Sequence, residues 1–142
     1  MPQVPVNYTA VLSAAIASMV IGFLWYGPIF GRMWMKLSGI TADKMNAAKQ
    51  KGMGKSYAMM FVGSLVMAYV LQHALFFAST YLGAYGASAG LVAGFWNWIG
   101  FVAPVTLGTV LWEGKPWKLW LLNNGYYLVT LSVMGIILAV WR

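Results

Sequence analysis

Charge is confined to two short stretches and the last residue of this chain. Between Met1 and Gly31 no side chain ionises except tyrosine, and between Ser56 and Trp112 the ionisable groups are tyrosines and His73. Between Leu119 and Trp141 only tyrosines remain. A helix crosses the hydrocarbon of a bilayer with about 20 apolar residues, so these stretches hold four crossings. The 142 residues are 61% hydrophobic and 8% charged, too few charges to clothe a soluble domain of this size. The expected fold is therefore all-α. It is a single integral membrane domain, 1–142, whose four transmembrane helices cover about 8–27, 56–79, 91–112 and 117–141. A short cytoplasmic interfacial helix joins the first two.

Local signals set the boundaries. Asn7 or Thr9 can cap the first span by accepting a backbone N–H. Gly27-Pro28 should end it, since proline disfavours helical geometry in the residue before it. Arg32 to Leu37 mixes basic, aromatic and apolar residues, as a turn lying on the interface should. Thr41 caps a predicted helix over Ala42–Lys51, with Asp43 in its first turn and Lys49 and Lys51 in its last, the order the helix dipole favours. Gly52 would stop it. Thr80–Gly90, rich in glycine and alanine, is expected to be a turn, and Pro104 to kink the third span. Glu113-Gly114-Lys115-Pro116 is expected to be a tight polar turn.

The net charge is +7, and six of the nine basic residues (Arg32, Lys36, Lys44, Lys49, Lys51 and Lys55) lie in the first loop. Beside a membrane span such a cluster is a topology signal and a contact for anionic lipid headgroups, not a nucleic-acid surface. Lys115 and Lys118 fall on the same side, so the positive-inside rule puts both loops in the cytoplasm and both termini outside the inner membrane. The first span lacks a basic leader and is expected to be retained. Without cysteine there is no disulfide or thiolate chemistry.

The end of span one, Leu24-Trp25-Tyr26-Gly27-Pro28, has a parallel in Leu111-Trp112-Glu113-Gly114-Lys115-Pro116. Two hairpins related about the membrane normal would give this pattern, and so would the shared chemistry of cytoplasmic helix ends. Leu111 to Trp120 and Asn123-Asn124-Gly125-Tyr126-Tyr127, together with Leu24–Pro28 and Ala47–Tyr57, resemble the bacterial membrane family numbered 1761 among domains of unknown function. The resemblance covers nearly the whole chain. It implies a compact four-helix membrane protein, and it carries no activity and no catalytic residue.

Polar side chains inside lipid are costly, which makes them the first functional candidates. Gln72, His73 and Asn97 are expected near one depth, His73 and Asn97 each ~9 Å below an outer helix end by helical rise. They could form one hydrogen-bonded cluster, or each could serve as interhelical glue. Glu113, Asn123, Asn124 and Tyr126 form a second candidate cluster toward the cytoplasm. There Glu113 either pairs with Lys115, Lys118 or Arg32, or walls a vestibule. At the expected midplane stand Ser18, Ser64, Thr106 and Thr130, with no acid or base of the kind a pump keeps there. One histidine and two acids do not make a His-rich metal site, and both acids sit at the face opposite His73, so no triad forms. No catalytic residue, metal or cofactor is predicted.

Small residues four apart (Ser64 and Ala68, Ala74 and Ala78, Gly90 and Gly94) let helices approach closely, either within the bundle or between copies. The aromatic side chains suit interfacial anchoring, and alternatively a pigment or quinone. The leading functional expectation is a non-enzymatic protein that associates with itself as a homo-oligomer, or with a larger membrane complex. The alternative is an oligomeric transporter or channel for a small solute or lipid. Membrane lipid is the one other partner expected.

Overall fold

A computed structural model of the protein describes residues 3–141. The chain is all-α, with four helical stretches long and apolar enough to cross a membrane: Tyr8–Ile29, Gly54–Leu82, Gly86–Leu111 and Trp117–Val140. By helical rise each is at least ~33 Å long, enough for the ~30 Å hydrocarbon core. No strand occurs among the described residues.

Span one begins at α1 (Tyr8–Leu24), where Asn7 Oδ1 accepts from the Ala10 N–H at 3.1 Å. Gly27-Pro28 does not end it. The helix widens into a π-helical turn, Trp25–Ile29, closed by the Phe30 N–H on the Trp25 carbonyl at 2.9 Å. Proline lacks an N–H and its ring clashes with the carbonyl four residues back. The wider turn absorbs Pro28 without stopping the chain. The expected turn at Arg32–Leu37 is likewise helical, as α2 (Gly31–Ser38). Next comes α3 (Ala42–Lys51), capped by Thr41 Oγ1 on the Lys44 N–H and ended at Gly52 as the sequence predicts.

Span two is the single helix α4 (Gly54–Leu82). The turn expected over Thr80–Gly90 shrinks to Gly83–Tyr85, because Gly83 takes the left-handed conformation that closes a helix and Gly86 already starts the next one. Span three is broken into α5 (Gly86–Asn97), a π-helical turn at Trp98–Val102, α6 (Ala103–Thr106) and α7 (Gly108–Leu111). Pro104 lies just past the π turn, and Gly100, four residues before it, lies within the turn. The predicted kink thus appears as a widened turn, a known response to a missing helical hydrogen bond. Span four is α8 (Trp117–Val140).

The spans do not share burial equally. Within its most apolar window α8 is 44% buried, against 17% for span three and 28% for spans one and two. α8 packs along α5 and also touches α1 and α4, and α1 packs on α4. Its central position makes α8 the axis of the bundle. The core interleaves small residues (Ala10, Ala14, Ala68) with large ones (Leu71, Leu75, Met134, Leu138). Lipid is as apolar as these side chains, so close packing rather than expulsion of water holds the helices together. Near mid-span Ser18 Oγ and Ser64 Oγ lie 3.1 Å apart and bond α1 to α4.

Candidate functional site

On α8, Asn123 and Asn124 are consecutive, so their side chains leave the helix about 100° apart. Asn123 turns to span one, where the Tyr26 hydroxyl donates to its Oδ1 at 2.8 Å. Asn124, 2% exposed, turns to span three. Its Nδ2 donates to Thr106 Oγ1 at 3.0 Å and to the Trp120 carbonyl at 3.1 Å. Trp120 Nε1 donates to the same Thr106 oxygen at 3.1 Å, and the Thr106 hydroxyl donates to the Val102 carbonyl at 2.8 Å. A threonine hydroxyl has one hydrogen and two lone pairs, so Thr106 is saturated. It ties the carbonyl at the end of the π turn to α8.

Tyr126 joins Asn123 on the side of span one. Its hydroxyl donates to the Ser18 carbonyl at 3.5 Å, and its ring centroid lies 5.2 Å from Tyr26 and 6.4 Å from Trp25. Trp25 Nε1 donates to the Leu122 carbonyl at 3.1 Å. The expected cytoplasmic-side cluster is therefore two sites: Asn123 and Tyr126 with span one, and Asn124 with span three. Glu113 belongs to neither. It is exposed in the turn after α7, and no ion pair with Lys115, Lys118 or Arg32 forms among the described residues. Water at a helix end solvates a carboxylate at little cost.

The expected Gln72–His73–Asn97 cluster does not assemble. His73 Nδ1 bonds the Tyr69 carbonyl of its own helix at 2.8 Å, and Asn97 Nδ2 donates to the Ala93 carbonyl of its own at 2.8 Å. Gln72 is 5% exposed, and its Oε1 has no hydrogen-bond partner. It lines a cavity of about 270 Å³ with Asn7 and Phe76, near the start of α1. Asn97 lines a different cavity with Val66, Met67 and Val70. Those residues precede His73 by three to seven positions, or roughly 5–10 Å of helix. The shortened turn accounts for ~3 Å of this offset, since α4 ends nine residues past His73 at Leu82 while α5 starts eleven residues before Asn97 at Gly86.

The Asn97 cavity is the roomier of the two, at about 400 Å³. It lies between α4, the π turn of span three and α8. Its walls are apolar (Val66, Val70, Phe101 and Leu131 among them), and Asn97 and Tyr127 supply the polar groups. Asn97 Oδ1 and the Tyr127 hydroxyl have no hydrogen-bond partner among the described residues. Among those residues no three His, Asp or Glu side chains gather where they could hold a metal ion.

A family model described as "Protein of unknown function (DUF1761)" matches residues 9–139. The chain belongs to that family. No curated protein and no solved structure matches it. In this DUF1761 chain the separated sequence stretches Leu24–Pro28 and Asn123–Tyr127 meet through Tyr26–Asn123 and Trp25–Tyr126. By sequence alone Trp25 and Tyr26 fit interfacial anchoring at a helix end, and Tyr127 and Trp120 have no separate role. A helical wheel of α8 brings Trp120, Asn124 and Tyr127 onto neighbouring positions, at spacings of four and three. That was the available signal.

Proposed function

We propose that the protein is a non-enzymatic membrane bundle that takes a neutral lipophilic molecule into the cleft between spans two and three. One observation carries this reading: an apolar cavity of about 400 Å³ meets Asn97 deep in its span, with Oδ1 unused. That volume falls within the range of small-molecule sites, which pair apolar walls with a few polar groups. An unsatisfied amide oxygen within a bilayer is costly. A ligand with an apolar body and one hydroxyl or amide N–H would relieve that cost. Nothing charged lines the cleft, so an ion is a poor occupant.

The test is native mass spectrometry of the full chain released from membranes in mild detergent. Wild type should retain a neutral lipophile. Val70→Trp, which fills the cleft from the lipid-facing side of α4, should lose it with the fold unchanged. Retention of the same mass by Val70→Trp would defeat the reading, as would wild type carrying no ligand.

A second reading, self-association or service as a subunit of a larger complex, is favoured by the low burial of span three, 17% of its window. The small-residue pairs argue less for it, because Gly90 and Gly94 are spent against α8 and Ser64 against α1. The same spectra separate the readings, since a symmetric oligomer or co-purifying subunits would support the second. In either case we place the chain in the inner membrane of a bacterium, with the Arg32–Lys55 and Glu113–Lys118 segments in the cytoplasm and both termini on the opposite side.

A further inference from the structure

The two helices of the first loop differ in how they are held. α2 begins two residues after span one and folds back on it. Trp34 meets Tyr26 edge-on with ring centroids 5.6 Å apart, and Gly31 is buried where an added Cβ would lie 2.7 Å from the Tyr26 carbonyl oxygen. α2 also touches α8. Its Trp34, Met35 and Leu37 are half-buried, while Arg32, Met33 and Lys36 are exposed. α3, in contrast, is exposed along its whole length apart from half-buried Met45. The loop holds one acid, Asp43, against six basic residues, and no carboxylate pairs with Arg32 or Lys36 among the described residues.

We infer that α2 is a preformed clamp for the phosphate of an anionic phospholipid in the surrounding bilayer. Arg32 and Lys36 stand four residues apart, which places their Cβ atoms about 5–6 Å from each other on one helix face. The guanidinium fork can hold two oxygens of one phosphate while the ammonium supplies a second, point-like charge. Exposed Met33 beside them offers an apolar contact to the glycerol and the upper acyl chain. A soluble polyanion would leave that contact unused. Because Trp34 and Gly31 already fix the helix against Tyr26, binding orders little that is not ordered beforehand. The lysines of α3 have no such support, and they add a diffuse attraction to the same surface. This clamp stands apart from the cleft near Asn97 and does not depend on it.

The test uses the full chain in detergent with phosphatidylglycerol or phosphatidylcholine of matched acyl chains, and counts retained lipid by native mass spectrometry at low ionic strength. Wild type should retain phosphatidylglycerol preferentially. Each neutralised cation near an anionic surface weakens binding about fivefold. Arg32→Gln and Lys36→Gln should therefore each cost about fivefold and the pair about 30-fold. The triple variant Lys44→Gln, Lys49→Gln, Lys51→Gln should lose less than the pair, with thermal denaturation unchanged throughout. The clamp is overturned if wild type holds both lipids equally, or if the triple variant loses as much as the pair. A short RNA that displaces phosphatidylglycerol at equal charge concentration would also overturn it. Should the paired variant unfold, the two single variants still decide the matter.

Discussion

Gly90 on α5 and Gly135 on α8 cross backbone to backbone: a Cβ on either would fall on the other's carbonyl oxygen. One turn away, a Cβ on Gly94 would lie 2.5 Å from the Leu131 carbonyl oxygen. At this separation the helices gain dispersion contact and Cα–H···O contacts, which matter where water expulsion contributes nothing. Gly90→Ala must push the two backbones apart. It should cost at least the upper end of the ~1–3 kcal/mol usual for overpacking. Gly100→Ala meets nothing within 4 Å and should stay within about 0.5 kcal/mol of wild type. Denaturation in mixed micelles measures both.

Removing the Thr106 hydroxyl leaves Asn124 Nδ2 and Trp120 Nε1 short of an acceptor. Thr106→Val should cost about 1–3 kcal/mol, the usual penalty for a stranded buried donor. Asn124→Leu removes one of those donors, so the double variant should cost less than the two single changes added together. Simple additivity in that cycle would show that the three groups do not act as a unit.

Tyr26→Phe deletes the hydrogen bond to Asn123 and keeps the ring against Trp34 and Tyr126. Such interhelical bonds average about 0.6 kcal/mol and reach about 1.7. A loss within that range is expected in the same denaturation assay. Glu113→Gln should change stability by less than about 0.5 kcal/mol, because the carboxylate is exposed and unpaired. A loss well above this would reveal a partner in the membrane.

The chain has no cysteine, so single cysteines report sidedness without background. With a membrane-impermeant maleimide, Lys49→Cys and Lys115→Cys should label from one face and Ser88→Cys from the other. Labelling of Lys49→Cys and Ser88→Cys from the same compartment would contradict four crossings.

The spans were legible because a bilayer imposes a rule that length and polarity alone satisfy: about 20 residues without charge. The caps at Asn7 and Thr41 were equally legible, since an N-cap is decided by a side chain and the amides two or three residues away. The Gln72–His73–Asn97 grouping failed for a related reason. Span ends at Ser79 and Leu91 would put His73 and Asn97 at one depth, but the turn between spans two and three is three residues rather than eleven, which leaves Asn97 about two residues deeper, and each side chain bonds a carbonyl of its own helix. The asparagines of α8 were visible as candidates, but the partner of each was not. Asn123 and Asn124 differ by one step of helical rotation, and only the positions of α1 and span three around α8 give one a tyrosine and the other a threonine.

Sequence by itself determined that this chain must live in lipid as four helices, because its charges leave no other solvent for the rest. It also marked Pro28 and Pro104 as places where the backbone must depart from α geometry. Only the tertiary structure decided that both departures are π turns that keep the spans continuous or nearly so, that α8 is the axis, and that a cleft opens beside Asn97. Those outcomes depend on which helix faces meet. In a solvent as apolar as the helices themselves, meeting is governed by the fit of glycine and small side chains across tens of residues, a relation that no local pattern contains.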